Sequence, residues 1–454
     1  MSPLSLLRRR ERVPGPGTAA LLATGCGTAI ASVCALGVFQ IERLLGGVWS
    51  AVAVFVAGLC CFGLARACAR LTTVVPSGAG LLAFLSRGLG RPAGLALALP
   101  YLLLTLFLAG AEAIVVGAIL SRLLPVPPVL GAFFFLIGTW VVCRSGLRIG
   151  FRAQAFATWA LIGSLVVLSL LSVAGAMERG QLSDRLLPPL PNAWHFVAGV
   201  GQALFLFMGF ELITSQAEIV DNPRFLRRAL AGSVFVLGAF YAVVSLGFSC
   251  VATLPNGDGE VLPQLALAGQ AGGWLAMLLV AGLSLLASFT SFNGALLTLS
   301  RLTAALAAQG VLPRRFSIIA PRSLVPRSAL FLLLALALVA AVLVSFGDML
   351  RPSIFAAAVA AAVVYSGLCW VREFTPFAEA GRSAWKRCLG FALAAALSGL
   401  AIGVLLDAGP ALAGTASILV TVFAISLLAS ARLRRKPVPA FRTVEPIGET
   451  VRAQ

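Results

Sequence analysis

The chain is 454 residues long, 60% hydrophobic and only 11% charged, with a mean hydropathy of +1.00. That balance excludes a soluble globular domain and describes an all-α polytopic membrane protein. In a soluble chain the net charge of +18 would point to nucleic acid; here the placement of the basic residues along the loops decides its meaning.

A basic patch, Arg8 to Arg12, precedes the apolar run Thr18 to Ile41. That run is too long for a signal-peptide core and no A-x-A site follows it, so it reads as an uncleaved first span. Windows of about 20 apolar residues predict twelve spans in all. Their limits are 17–41, 48–69, 93–123, 127–143, 153–177, 196–216, 228–253, 272–307, 328–346, 352–371, 385–406 and 410–431. The first contains Gly25-Cys26-Gly27 and then the small, polar cluster Thr28-Ala29-Ile30-Ala31-Ser32. The third carries Glu112, an acid in hydrocarbon that either lines a pocket or is hydrogen-bonded to a neighbouring helix.

The sixth span, Phe196 to Ile213, is almost wholly apolar yet holds Gly199, Gly201, Gly209 and Glu211. An ionisable group at membrane depth marks a substrate or ion path. Loose backbone survives there only where it is buried or lines a cavity. Met208-Gly209-Phe210-Glu211 therefore reads as the middle of a broken helix at a binding site. The alternative is a glycine for close packing and a glutamate paired with another helix. Phe205, Phe207, Phe210 and Phe289 are candidates for an apolar side-chain pocket. Beyond the span, Glu218 and Asp221 stand near Arg224, Arg227 and Arg228, as a gate or capping cluster or as a solvated face. Midway along the eighth span lie the hydroxyls of Thr290 and Ser291.

With the N-terminus inside, 29 of the 34 basic residues fall on the inner face, and only Arg43, Arg122, Arg179, Arg185 and Arg351 lie outside. A missed or extra span in mid-chain would destroy that asymmetry, so the charge reads as topology, with both termini cytoplasmic, and not as a nucleic-acid surface. Trp49, Trp194 and Trp274 open spans at the outer side, and Trp140, Trp370 and Trp385 lie at inner ends, as an aromatic belt requires. The nine cysteines form no C-x-x-C pair and sit mostly in apolar runs, and the lone His195 makes no metal site. No cofactor is implied. No nucleophile with a base lies at membrane depth, so an intramembrane enzyme is not supported.

Two interrupted spans five apart, the first and the sixth, and two long spans five apart, the third and the eighth, point to an inverted repeat with substrate bound between its halves.

Three motifs carry a resemblance. GFE from Gly209, followed by AEIVDNPR, resembles the sixth-span signature of the amino acid–polyamine–organocation transporters. SRLTAALAAQGVLP (Ser300–Pro313), with Pro326 after it, is similar to their eighth-span exit, and VPSGAGLLAFLSRGLGRPAG (Val75–Gly94) to their entry to the third span. The resemblance implies a LeuT-like five-plus-five inverted repeat with two additional C-terminal helices. The parts are a cytoplasmic tail 1–16, repeats 17–177 and 196–371, trailing helices 385–431 and a cytoplasmic tail 432–454. It implies a secondary active transporter in the cytoplasmic membrane that moves amino acids or related amines by alternating access, by proton-coupled symport or exchange. The alternative is a transport-incompetent sensor or assembly subunit that keeps the fold.

Carried over residue by residue, the resemblance places the unwound part of the first span at Ile30, Ala31, Ser32 and Val33, where free amides hold a substrate carboxylate. The substrate amine meets carbonyls around Phe207, Met208 and Gly209, with Phe210, Glu211 and Glu112 nearby. Glu211 then either takes up a proton or contacts the substrate amine, or holds the broken helix as a structural partner, and Glu218 and Asp221 are candidates for coupling or gating. The chain departs from the pattern in having Ala31 and Val33 at two first-span glycine positions, which admits a break shifted to Gly25-Cys26-Gly27. The fifth-span lysine of some proton-coupled relatives would fall near Leu161, and the only lysines are Lys386 and Lys436. Sodium, held by Thr290 and Ser291 with first-span carbonyls, is the less favoured coupling ion.

Overall fold

The computed structural model describes residues 16–251, 262–308, 310–320, 325–345, 349–374 and 383–434. The basic patch at Arg8 to Arg12 and the tail from residue 435 onward lie outside the described residues.

Among the described residues ten helices are long and apolar enough to cross a bilayer, and the pair Thr18–Ala29 and Cys34–Leu45, bent by 61°, makes an eleventh span. The expected fourth span is the helix Pro128–Arg144, apolar but only 17 residues long. At 1.5 Å per residue it reaches about 26 Å, short of a hydrocarbon core of about 30 Å. Pro127 and Pro128 start it, and Gly146, at φ 136°, closes the segment after it. The structure thus supports an all-α membrane fold of eleven spans by length, with the fourth segment as a short apolar helix.

Three elements form the middle of the bundle. In their most apolar windows Ala193–Gln216 is 89% buried, Leu350–Glu373 78% and Arg91–Leu123 72%, whereas Ile149–Glu178 is 17% and Gly409–Ala431 22%. The outer helices turn large apolar groups outward, among them Phe156, Phe235 and Leu275. Water would not tolerate that surface and lipid would.

The stretch between the second and third spans is not a plain loop. It forms a nine-residue helix, Leu81–Leu89, whose residues Leu81 to Ser86 are buried. Gly80 opens it at φ 48°, where a side chain would also press on the Thr214 hydroxyl, so only glycine satisfies both demands. The eighth span lies in the helix Pro263–Ala308, interrupted at Gly272 and Gly273. Its expected limits, 272–307, coincide with the membrane-length part, Gly272–Ala308.

Candidate functional site

The first span breaks at Ile30–Val33. Helix Thr18–Ala29 ends on extended Ile30 (φ −100°, ψ 104°), and a new helix starts at Cys34 after a turn through Ala31, Ser32 and Val33. Gly25 and Gly27 lie inside the first half-helix, so the alternative break there is not the one formed. They serve close approach instead: a Cβ at Gly25 would collide with Ser233, and one at Gly27 with Gln154 and Thr158.

A broken helix frees carbonyls on one side and amides on the other, and buried ones require partners. Here side chains supply them. The Thr28 carbonyl accepts from the Ser291 hydroxyl (3.2 Å), the Ala29 carbonyl from Tyr241 (2.8 Å) and the Ile30 carbonyl from Thr290 (3.4 Å). Across the gap, Glu112 accepts from the Ser32 amide at 2.6 Å through Oε1 and from the Val33 amide at 2.9 Å through Oε2. The Ser288 hydroxyl also donates to Glu112 Oε1. The amides expected to meet a substrate carboxylate therefore already hold one from the chain itself.

The sixth span breaks differently. Helix Ala193–Ala203 tightens into a 3-10 turn, Leu204–Phe207, then opens at Met208 (ψ 126°) and left-handed Gly209 (φ 112°), and resumes as a 3-10 helix, Phe210–Gln216. Tight turns of this kind are common where a helix is strained or hinged. Phe205, Phe207 and Phe210 are buried; Phe289 is partly exposed. The Phe207 ring lies close to Gly58, where a Cβ would stand 3.3 Å from it, and Gly238, at 3.9 Å. Of the three carbonyls proposed from sequence, that of Gly209 accepts the Leu212 amide at 3.1 Å, starting the 3-10 turn.

Glu211 is fully buried. Its Oε2 accepts from Tyr365 at 2.9 Å and from the Gly209 amide at 3.2 Å, and Tyr101 donates to Oε1. The carboxylate thus pins the second break to helices Arg91–Leu123 and Leu350–Phe374. All three tyrosines of the chain place their hydroxyls on the two breaks. Sequence reading singled out none of them, although a phenol in an apolar span needs a partner once buried.

Thr290 and Ser291 share their surroundings with an uncharged network. The Gln154 amide donates to the Thr290 carbonyl (2.9 Å), Asn293 donates to Gln154 Oε1 (2.6 Å), and Thr158 donates to the Ala23 carbonyl (3.1 Å). Gln154 and Thr158 occupy the fifth-span face that meets the first span; the expected lysine position, Leu161, is buried and apolar.

Glu218 accepts from the Gly78 amide at 2.8 Å and so fastens the segment before helix Leu81–Leu89. Asp221 is exposed, and the cap of helix Pro223–Cys250 is Asn222, whose side chain accepts from the Arg224 amide at 2.9 Å. The two acids thus separate in role: one ties down a loop and neither supplies that cap. Sequence reading counted two acids in hydrocarbon; a third, Glu42, is 4% exposed and accepts from Ser245 and Ser249. It was hidden by its place at the edge of the first apolar run. Among the described residues no group of three or more His, Cys, Asp or Glu could hold a metal ion.

Residues 18–431 match the family described as amino acid permease. Among curated proteins the chain is similar to a vacuolar cationic amino acid transporter 4 of Arabidopsis thaliana, 26% identical over 359 residues and 73% of this chain. The match spans 58% of that relative's length. Among solved structures it resembles a Na+-coupled sialic acid symporter in a substrate-bound, outward-open state (TM-score 0.56, 12% identity, 95% of this chain and 92% of that one). It also resembles a mutant manganese transporter of Eremococcus coleocola (TM-score 0.55, 16% identity, 92% and 94%). At these identities the likeness is one of fold.

Proposed function

This chain belongs to the amino acid permease family, and we propose that it is a membrane permease that moves amino acids or related amines across the cytoplasmic membrane by alternating access. The observation that carries this reading is the pair of breaks, Ile30–Val33 and Met208–Gly209, set against each other in the buried middle of the bundle. Broken helices that meet at membrane depth suit an occluded site that opens to either side in turn. We place the substrate between Ile30, Ala31, Ser32 and Val33 on one side and Phe207, Met208, Gly209, Phe210 and Glu211 on the other, with Glu112 beside the first break.

The arrangement we propose is twelve spans in a five-plus-five inverted repeat, 17–177 and 196–371, followed by two trailing helices and with both termini cytoplasmic. Glu211 is the proposed coupling carboxylate for protons or for exchange. Its three hydrogen-bond donors come from two other helices and its own break, so a change in its charge would bear on all three. Sodium at Thr290 and Ser291 is the weaker option, because their hydroxyls already donate to the first-span carbonyls of Ile30 and Thr28. Glu218 and Asp221 are proposed for the inner gate.

Uptake of a labelled pool of amino acids and amines into proteoliposomes tests this reading. It is run with a proton gradient, with a sodium gradient and with unlabelled substrate preloaded. Accumulation with protons or with preload supports it. Ligand binding without movement under any condition would give the protein to the sensor or assembly-subunit reading.

A further inference from the structure

Amides at the start of a helix attract anions, and Ser32 and Val33 present two of them ahead of the 12-residue helix Cys34–Leu45. Glu112 fills that seat as a bidentate ligand, one oxygen to each amide at 2.6 and 2.9 Å, with the Ser288 hydroxyl on Oε1. The side chain is only 2% exposed. We propose that Glu112 stands in for a substrate carboxylate, so that the transported substrate is an organic amine without a carboxylate and not an α-amino acid. The proposal rests on the transporter reading and narrows its substrate class.

Two arguments carry it. An α-amino acid carboxylate can reach these amides only by expelling Glu112, which would cost that buried carboxylate its two amide donors, or by lying beside it as a second negative charge. An amine meets no such obstacle. An ammonium would instead bring this buried carboxylate a compensating positive charge. Glu42, Glu112 and Glu211 are all buried in the bundle, and neither stretch that holds a break, 18–42 or 193–217, contains a lysine or an arginine.

The test is uptake of matched pairs by the full chain in proteoliposomes: lysine with cadaverine, arginine with agmatine, leucine with isoamylamine. The amine of at least one pair is expected to enter faster than its parent amino acid by about tenfold or more, the ratio that 1.4 kcal/mol produces. Glu112→Ala, which empties the seat, is expected to reverse the preference toward the amino acid. Should Glu112→Ala fail to fold, the comparison within each pair on the wild-type chain decides alone. Wild-type uptake of the amino acids at rates equal to or above those of the amines overturns the inference and leaves the transporter reading standing. Failure of both members of every pair to cross or to bind overturns the transporter reading and the inference with it.

Discussion

Gly209 and Thr28 bring the two broken spans into direct contact: a Cβ on Gly209 would stand 3.0 Å from Thr28 Cγ2 and 3.2 Å from the Thr28 carbonyl oxygen. Gly209 is also left-handed, at φ 112°, so two independent constraints ask for glycine. In Gly209→Ala the backbone conformation costs about 1–2 kcal/mol and the added carbon about 1–3 kcal/mol more. Thermal unfolding in detergent should show a lowered midpoint, and uptake per folded molecule should fall sharply. A variant with wild-type stability and wild-type uptake would mean that the breaks do not meet at this point.

Tyr101 and Tyr365 both donate to Glu211, and their rings lie 6.0 Å apart. Removing either hydroxyl as phenylalanine leaves a buried carboxylate short of one donor, a loss of about 1.5–3 kcal/mol for a bond to a charged group. The double variant should lose less than the two single losses added together, because both donors act on one carboxylate. A strictly additive pair in denaturant unfolding would show that the two tyrosines act on separate features.

How much of this was legible in the sequence differs from residue to residue. The ten long spans and the bent first pair were legible because a hydrocarbon core imposes a length and a composition, whereas the expected fourth span is a helix of only 17 residues. The second break was legible because Gly209 and Glu211 are both costly there and stand together. The first break fell at Ile30–Val33 as the resemblance implied, yet Gly25 and Gly27, the more obvious weak point, turned out to admit Ser233, Gln154 and Thr158. That difference lies in which helix packs on the glycines, and no local pattern carries it. The partners of the acids were hidden for the same reason: Tyr365 is 154 residues from Glu211, and Ser32 is 80 from Glu112. The short helix Leu81–Leu89 was masked by its glycine-rich flanks.

Thr290 and Ser291 are expected to be structural and not ion ligands. Replacing external sodium by potassium should leave uptake unchanged. Thr290→Ala should cost about 1 kcal/mol of stability, the typical worth of one hydrogen bond, without altering ion dependence. Sodium-dependent uptake that Thr290→Ala or Ser291→Ala abolishes would contradict this and make sodium the coupling ion.

Glu218 holds the Gly78 amide at 2.8 Å, two residues before Gly80, where an added Cβ would meet the Thr214 hydroxyl. Glu218→Gln replaces a charge-assisted bond with a neutral one, a weakening of about 1 kcal/mol. Hydrogen exchange over residues 76–90 should quicken in that variant while the trailing helices are unaffected. Unchanged exchange in 76–90 would remove Glu218 from the inner gate.

The most direct test of alternating access at the paired breaks is counterflow. Proteoliposomes are loaded with a high concentration of unlabelled cadaverine or lysine and diluted into a trace of the same labelled compound, with no ion gradient. A carrier whose site faces one side at a time should accumulate label transiently above its external level and then release it, and Gly209→Ala should blunt that overshoot. Label that only equilibrates, or that binds without entering, would contradict the account.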